Sequence, residues 1–448
     1  MNEIQLIDQT TRDAQQSLWG FMMPTEMMLP IAPVVDQVGY KAIGVVGARG
    51  AVMARRYLNE NIFDRMRLLS EKIVKTPLRS SFTTWSAFGF DVEPIAALEL
   101  WIRQAFASGI RSFWICDYQT AKMSERLSYL VNVAKSEGAD IVVALMYTLS
   151  PVHTDDLFAQ KTRAIAELGG VNAIHLEDAG GVLTPDRTRT LVPAIQKEAK
   201  GIPIEIHSHC NAGLAPMCYV EAMKEGAMAF HTAALPLANG HSMPSAENTI
   251  ENARHLGLSS QIDQEALKTV SDYYFEEIRK RRMETGVPVE YDYFQFRHQV
   301  PGGMMGTLRK QLSEMGMIDR LEEVLKEIGV VREEFGYPVM ATPYSQVVGA
   351  QAVFNVTSGE RYKIIPDEVI RYALEYYGEL DGTLEPNIMD KIINSPKAKK
   401  FMNRKPPEIT VDELRKIAPG LSDEDLLLQL ATPEGEFRKK LKSLYERY

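Results

Sequence analysis

Cysteine is scarce: three in 448 residues (Cys116, Cys210 and Cys218), with no C-x-x-C pair among them. An odd, sparse set suits a reducing cytoplasm rather than a disulfide framework. Positive charge is also short. Fifty Lys and Arg against 59 Asp and Glu leave a formal net charge of −9, which argues against a general nucleic-acid or acidic-membrane role. No uninterrupted apolar run is long enough to span a bilayer. The opening Met1-Asn2-Glu3-Ile4 has neither the basic nor the apolar region of a secretory signal, so a cytoplasmic location is expected. Low-complexity segments are missing, as is any internal repeat longer than a strand–helix unit. What remains is ordinary for a globular protein of two or three domains, with 45% hydrophobic and 24% charged residues.

Strand-like runs alternate with helical patterns through the first half. Strands are expected at 5–9, 42–46, 78–82, 112–117, 141–147, 173–177, 204–207 and 227–232, with helices between them at 25–38, 95–107, 124–136 and 186–200, for example. Eight such units in about 250 residues match a closed (β/α)8 TIM barrel. The competitor, an open doubly wound sheet, normally shows a glycine-rich phosphate turn after its first strand, and D-Q-T-T-R-D at 8–13 has no glycine. Beyond Gly257 the strand pattern stops. A long helix is expected over 264–283, its basic run Arg279-Lys280-Arg281-Arg282 being a solvated end. Helical spacing recurs over 318–327, and Thr410-Val411-Asp412-Glu413 is a capping box, with Ser422 opening another helix in the same style. The expected class is therefore α/β: a TIM barrel over residues 1–290 and a mostly helical C-terminal domain over 291–448.

The stretch 202–209 reads I-P-I-E-I-H-S-H. On a strand, positions i and i+2 share a side, so His207 and His209 present two imidazoles together at a strand's carboxyl end. Barrel enzymes carry their chemistry on that rim. The other strand ends supply Asp8 and Asp13, Arg49 within G-A-R-G, Thr83 and Thr84, Asp117, Tyr147, Glu177 and Asp178, and finally His231 and His241. Carboxylates converging on paired imidazoles point to a divalent metal, with Zn²⁺, Mn²⁺, Co²⁺ or Fe²⁺ better suited than Mg²⁺. Such an ion would polarise a carbonyl and stabilise an enolate. Cys210, next to His209, points away from it and reads as a packed thiol.

D-Q-T-T-R-D-A-Q-Q-S-L at 8–18 resembles the D-T-T-L-R-D-A-H-Q-S-L opening of the biotin-dependent carboxyltransferases that act on small oxo acids. This family includes the carboxyltransferase domain of pyruvate carboxylase, the oxaloacetate decarboxylase α subunit and the transcarboxylase 5S subunit. Y-L-N-E at 57–60, T-L-S-P-V-H-T at 148–154, H-S-H running on to G-L-A-P-M at 213–217, H-Q-V-P-G-G-M at 298–304, T-P-Y-S-Q-V-V-G-A-Q-A-V at 342–353 and G-E-R-Y-K at 359–363 extend the resemblance over nearly the whole chain. It implies a barrel with a helical carboxylase domain, usually a homodimer, in which Asp13, His207 and His209 are metal ligands and Gln16 serves substrate and catalysis. CO₂ would move between carboxybiotin and a small-molecule acceptor through an enolate. Ala222-Met223-Lys224-Glu225 only faintly matches the biotinylation motif and reads as a surface helical lysine. A separate biotin carboxyl carrier protein and a biotin carboxylase subunit are therefore implied as partners.

The departures from the family pattern fall on the active site. Glu177 stands where the family has a carbamylated lysine, and a glutamate offers the same terminal carboxylate on a shorter stem, as direct or water-bridged ligand. Thr83 replaces an arginine whose bidentate clamp on a carboxylate a threonine cannot reproduce. Arg49 enters the rim after strand 2, either to take over anion recognition or as a salt-bridged loop arginine, with Asp117 and Gln16 as further substrate contacts. His241 takes the place of a proton-shuttling threonine, a role an imidazole can fill near neutral pH. Gln15 replaces a histidine. Together these changes argue for an acceptor other than pyruvate. Two further readings are a metal-dependent lyase or aldolase resembling hydroxymethylglutaryl-CoA lyase, whose members lack this helical domain, and a non-catalytic scaffold subunit.

Overall fold

Eight parallel strands close on themselves: β1 (Glu3–Asp8), β2 (Ala42–Gly47), β3 (Leu78–Thr83), β4 (Ser112–Cys116), β5 (Asp140–Met146), β6 (Ala173–Asp178), β7 (Ile204–Ser208) and β8 (Ala229–Thr232). Each pairs with the next, and β1 pairs with both β8 and β2. The computed structural model describes residues 3–89, 91–118, 124–402, 408–432 and 435–445. The strands lie where the sequence places them, their ends differing by at most two residues. A two-residue strand, Ser259–Ser260, adds to the outside of β1. The expected helix over 25–38 is instead two short pieces, Thr25–Met28 and Ala32–Val35. Pro30 and Pro33 lack the N–H groups that would join them. The long helix runs Gln264–Arg281, with Asp263 accepting from Glu265 N and Ala266 N. The Thr410 capping box forms, and Ser422 caps as expected. No helix among the described residues is long and apolar enough to cross a membrane.

Helix Ile95–Ala107 is apolar nearly all round, burying Leu98, Leu100, Trp101 and Ile102 together. A helix of that kind must be covered on two sides. Its inner side packs on the barrel; the other is covered by helices Val411–Ile417 and Asp423–Leu430, which return from the far end of the chain. Leu414, Leu426, Leu427 and Leu430 accordingly join the barrel's core. Glu424 fixes the seam by accepting from Asn61 (2.8 Å), Arg67 (2.8 and 3.0 Å) and Gln104 (2.8 Å).

Helices between Phe294 and Phe401 form a second core, which also takes in Trp114, Cys116, Ala144 and Met146 from the barrel. It therefore sits as a cap on the carboxyl ends of β4 and β5. The sequence motifs at 148–154 and 298–304 meet across this seam. Thr148 Oγ1 donates to Gln299 Oε1 (2.9 Å), Gln299 Nε2 donates to Leu149 O (2.8 Å), and His153 and Lys161 both reach Asp381. Arg332, buried in the cap, donates to Thr148 Oγ1 and Leu149 O.

Asp8 shows what burial does at a strand end. Its Oδ1 accepts from Thr10 N (3.1 Å) and Thr10 Oγ1 (2.5 Å), yet burial outweighs both bonds and raises the carboxyl to about 6. The folded chain thus holds this proton more tightly than the unfolded one. The residue's contribution is fully favourable below the usual Asp range and is lost as pH rises through about 6. Asp8→Asn keeps both bonds at Oδ1 and removes the charge. We expect the variant to exceed the wild type at pH 7 by on the order of 2–3 kcal/mol and to match it near pH 4, measured by urea unfolding. Identical curves at both pH values would refute the burial argument.

Candidate active site

Strand alternation sorts the barrel into two faces. Phe113, Ile115, Ile174, Leu176, Ile204, Ile206 and Phe230 point out to the helices and lie in the main core. The intervening positions point inward, and many of them are polar, though Ala144 and Met146 of β5 are not. Arg79 and Ser81 of β3, Trp114 and Cys116 of β4, His175 and Glu177 of β6, Glu205 and His207 of β7 and His231 of β8 share the interior, joined by hydrogen bonds and ring contacts. Glu205 is fully buried and is compensated by Arg79 (2.6 Å), Lys41 (3.1 Å) and His231 (3.0 Å). Burial alone would raise its carboxyl, but these cations and the His231 bond hold it well below the usual range. Gly44 gives this interior room: a Cβ there would lie 2.5 Å from Gln9 Oε1.

At the top of the interior, Asp13, His207 and His209 bring three ligand atoms within 4.8 Å of one another, all buried. After β1 the chain winds through a π-helical turn, Thr10–Ala14, which carries Asp13 inward. Asp13 Oδ2 lies 3.5 Å from His207 Nε2, and Oδ1 lies 3.7 Å from His209 Nε2. His209 Nδ1 donates to the His241 carbonyl (2.6 Å), leaving Nε2 as the lone pair. His207 Nε2 is buried with no hydrogen-bond partner among the described residues. Burial raises Asp13, but Arg12 and the two imidazoles outweigh it and hold the carboxylate ionised. Burial drives the proton off His207, whereas Asp13 more than offsets burial at His209 and raises it. One carboxylate and two imidazole nitrogens, each with its other ring nitrogen occupied, fit a divalent cation such as Zn²⁺, Mn²⁺ or Co²⁺.

Glu177 stands beside this trio rather than within it: its Oε2 is 3.7 Å from Cys116 Sγ. Burial raises its carboxyl to about 7, with Arg12 opposing and Asp13 reinforcing. A carboxyl poised there can hold or release a proton near neutrality. Glu177→Ala should weaken metal affinity on the order of 10- to 100-fold if the carboxylate orients the ligands. Unchanged affinity in a chelator competition would remove Glu177 from the metal's surroundings.

The remaining sequence candidates are spread around this centre. Gln16 is half-buried in helix Gln15–Trp19, which faces helix Gly302–Glu314 of the cap. Thr83 Oγ1 is buried without a protein partner among the described residues. Asp117 accepts from Ser124 Oγ (2.5 Å). His241 lies at the rim with part of its surface open to solvent, its Nδ1 donating to Asn211 Oδ1 (2.9 Å), and partial desolvation of the ring lowers its pKa. Gly302 lets the cap close on it: a Cβ there would meet His241 Cβ at 2.2 Å. Residues 48–53 form a helix, and this turns Arg49 toward the loop after β3, where it donates to Ser86 O (2.8 Å) and Gly89 O (3.1 Å). Asp8 and Asp178 cap turns rather than face the centre, Tyr147 stacks on Phe158, and His231 lies in the interior rather than at the rim. Cys210 is a buried thiol, as expected.

Sequence reasoning missed Arg12. Its Nη1 donates to Asp13 Oδ2 (2.5 Å), its Nε to Ser81 Oγ (3.0 Å), and its Cζ lies 4.1 Å over the Trp114 ring. The signal was its place directly before Asp13 in the opening motif.

A parallel barrel with a carboxylate–imidazole trio on its carboxyl-end rim and a helical cap has the architecture of a barrel enzyme, whose reacting groups sit on that rim. A family model described as a conserved carboxylase domain matches residues 296–435, and one described as HMGL-like matches 114–273. A pyruvate carboxylase subunit from Methanocaldococcus jannaschii is 35% identical over 416 residues, covering 92% of this chain and 72% of that one. The 2-oxoglutarate carboxylase large subunit of Hydrogenobacter thermophilus is 31% identical over 409 residues, covering 90% of this chain and 61% of that protein. In fold, the chain superposes on the carboxyl transferase domain of Rhizobium etli pyruvate carboxylase with a TM-score of 0.84 at 21% identity, over 100% of this chain and 78% of that one. The chain belongs to the biotin-dependent carboxyltransferase family and is an enzyme of that class. The carboxylase-domain match covers the region that a lyase of the hydroxymethylglutaryl-CoA type was expected to lack.

Proposed function

We propose that this subunit moves CO₂ between carboxybiotin, borne on a separate carrier protein, and a small 2-oxo acid longer than pyruvate, working as a homodimer alongside a biotin carboxylase subunit. Residues 1–290 would carry the chemistry and the helices between Phe294 and Phe401 the cap, while the helices at 411–430 brace the barrel. The observation that carries the reading is Arg12. It lies one residue from a carboxylate of the trio, stacked on Trp114, with Nη2 free of protein partners among the described residues. A guanidinium so held can bind the acceptor's carboxylate and orient its carbonyl toward Asp13, His207 and His209. A divalent ion held by those three residues would supply the Lewis acidity that polarises that carbonyl.

The other residues handle the proton. In the carboxylation direction the N1–carboxyl bond of biotin breaks, a C–H bond beside the acceptor's carbonyl is lost, a C–C bond forms, and the proton passes to biotin N1. With Nδ1 committed to Asn211, His241 offers its Nε2 lone pair at the rim to relay that proton. Glu177 can hold a second proton deeper in the site. Gln16 faces the cap seam through which the carrier's biotin would enter. Lys224 ends helix Ala215–Lys224 and pairs with Glu221 at 2.7 Å, so it reads as a surface helical lysine rather than a biotin attachment site. Thr83 stands where the family has an arginine and cannot clamp a carboxylate, which leaves that task to Arg12. Relatives named for pyruvate and for 2-oxoglutarate both support a 2-oxo acid.

The test is carboxyl transfer from the carboxylated carrier, with pyruvate, 2-oxobutyrate and 2-oxoglutarate as acceptors and kcat/KM as the readout. A longer acid should be preferred. Pyruvate turning over best would overturn the choice of acceptor and leave the class intact. A lack of transfer to any acceptor, or of metal in the purified protein, would overturn the wider reading.

A further inference from the structure

Between the rim and the amino-terminal end of the barrel, the interior side chains form one directed line of hydrogen bonds. At its base the Glu205 carboxylate is ionised between Arg79, bound through both ends of its guanidinium (2.6 and 3.3 Å), and Lys41. His231 Nε2 lies 3.0 Å from Glu205 Oε2, and a carboxylate can only accept, so Nε2 carries the hydrogen. Its other ring nitrogen, Nδ1, is the accepting lone pair, because the Gln9 amide nitrogen beside it can only donate. Gln9 Nε2 donates to that atom at 3.0 Å, and His207 Nδ1 lies 3.2 Å from it. Two lone pairs cannot face each other at that distance, so His207 carries its hydrogen on Nδ1. Its lone pair is then on Nε2, the buried atom that has no other partner among the described residues and faces Asp13.

We propose that Glu205 and His231 are positioning residues which fix His207 in the Nδ1–H tautomer and so present its Nε2 to a divalent cation. The inference rests on Asp13, His207 and His209 being a metal site. It extends that reading through the barrel to a carboxylate with no contact to the trio. The physical gain is twofold. The chain of acceptors selects the tautomer that the cation needs, so no binding energy is spent on switching it. The anionic end also makes His207 Nε2 a better electron donor than a lone imidazole.

A different occupant has to be weighed, since His175, His207 and His231 also bring ring nitrogens within 4.8 Å of one another. The His175 and His231 rings are stacked, with centroids 4.2 Å apart and planes 13° from parallel. A cation in the plane of one ring would lie off the plane of the other, so this arrangement suits a stack rather than a shared ion.

The test compares two substitutions at His231. Asn places its Oδ1 close to the position of Nδ1 and still accepts from His207, whereas Leu accepts nothing. Zn²⁺ and Co²⁺ affinity is measured by chelator competition, with thermal melts of the metal-free proteins as the check on folding. His231→Asn should stay within about 3-fold of the wild type, and His231→Leu should weaken on the order of 10- to 100-fold. Equal affinity for Leu and wild type would overturn the proposal, as would equal loss in both variants or two ions bound per wild-type chain. If the Leu variant does not fold, ¹⁵N-histidine spectra of the metal-free wild type decide. His207 is assigned as the ring whose signals are absent from His207→Ala, and Nδ1 should be its protonated nitrogen; the opposite tautomer overturns the proposal. A wild-type protein that binds no cation is a separate result. It defeats the metal site, whereas failure at His231 with a metal-loaded wild type defeats only the positioning role.

Discussion

Replacing His207 with alanine should leave a folded protein that no longer retains a divalent metal and whose carboxyl transfer falls by on the order of 1,000-fold or more. The substitution removes the buried Nε2 aimed at Asp13 and leaves the outward-facing Ile204 and Ile206 of the same strand in place. Metal content after dialysis gives the first readout, and label exchange with the carboxylated carrier the second. His175→Ala is the matched control. His175 occupies the same interior, two positions before Glu177, but takes no part in the trio with Asp13. It should therefore keep the metal. Loss of metal in both variants would move the ion into the imidazole cluster, and full retention in His207→Ala would dissolve the proposed site.

The second large effect concerns stability. Arg79→Met should cost about 3–5 kcal/mol, because it leaves Glu205 as a fully buried charge with only Lys41 and His231 to compensate it. Methionine fills much of the volume, so the cost is electrostatic rather than a cavity. Adding Glu205→Gln removes the stranded charge and should recover a large part of the loss. Urea unfolding of the single and double variants measures the coupling. Additive costs would mean that the pair does not interact in the way its 2.6 Å contact implies.

The barrel was legible because strand and helix periods alternate cleanly, and the paired imidazoles because positions two apart on a strand share a side. The same rule carried one step further back on β7 reaches Glu205, and on β6 it gives His175 with Glu177. What the sequence lacks is the register that sets Glu177 beside His207 and His175 beside Glu205. Arg49 and Arg12 were hard to separate for a related reason. Both sit just past a strand end, and only the winding after each strand decides which guanidinium faces inward. The helix expected over 25–38 ignored Pro30 and Pro33, a local rule that outranks amphipathic spacing.

Helix Ile95–Ala107 leaves the ribosome long before the leucines that cover its outer side, Leu414 and Leu426 to Leu430. Until helices Val411–Ile417 and Asp423–Leu430 emerge that side lacks its cover, and the nascent chain carries an apolar helix on an otherwise assembling barrel. Such surface is where chaperones bind and where neighbouring chains stick together. Production of this enzyme at high level should therefore be limited by how quickly helices Val411–Ile417 and Asp423–Leu430 arrive to cover that side.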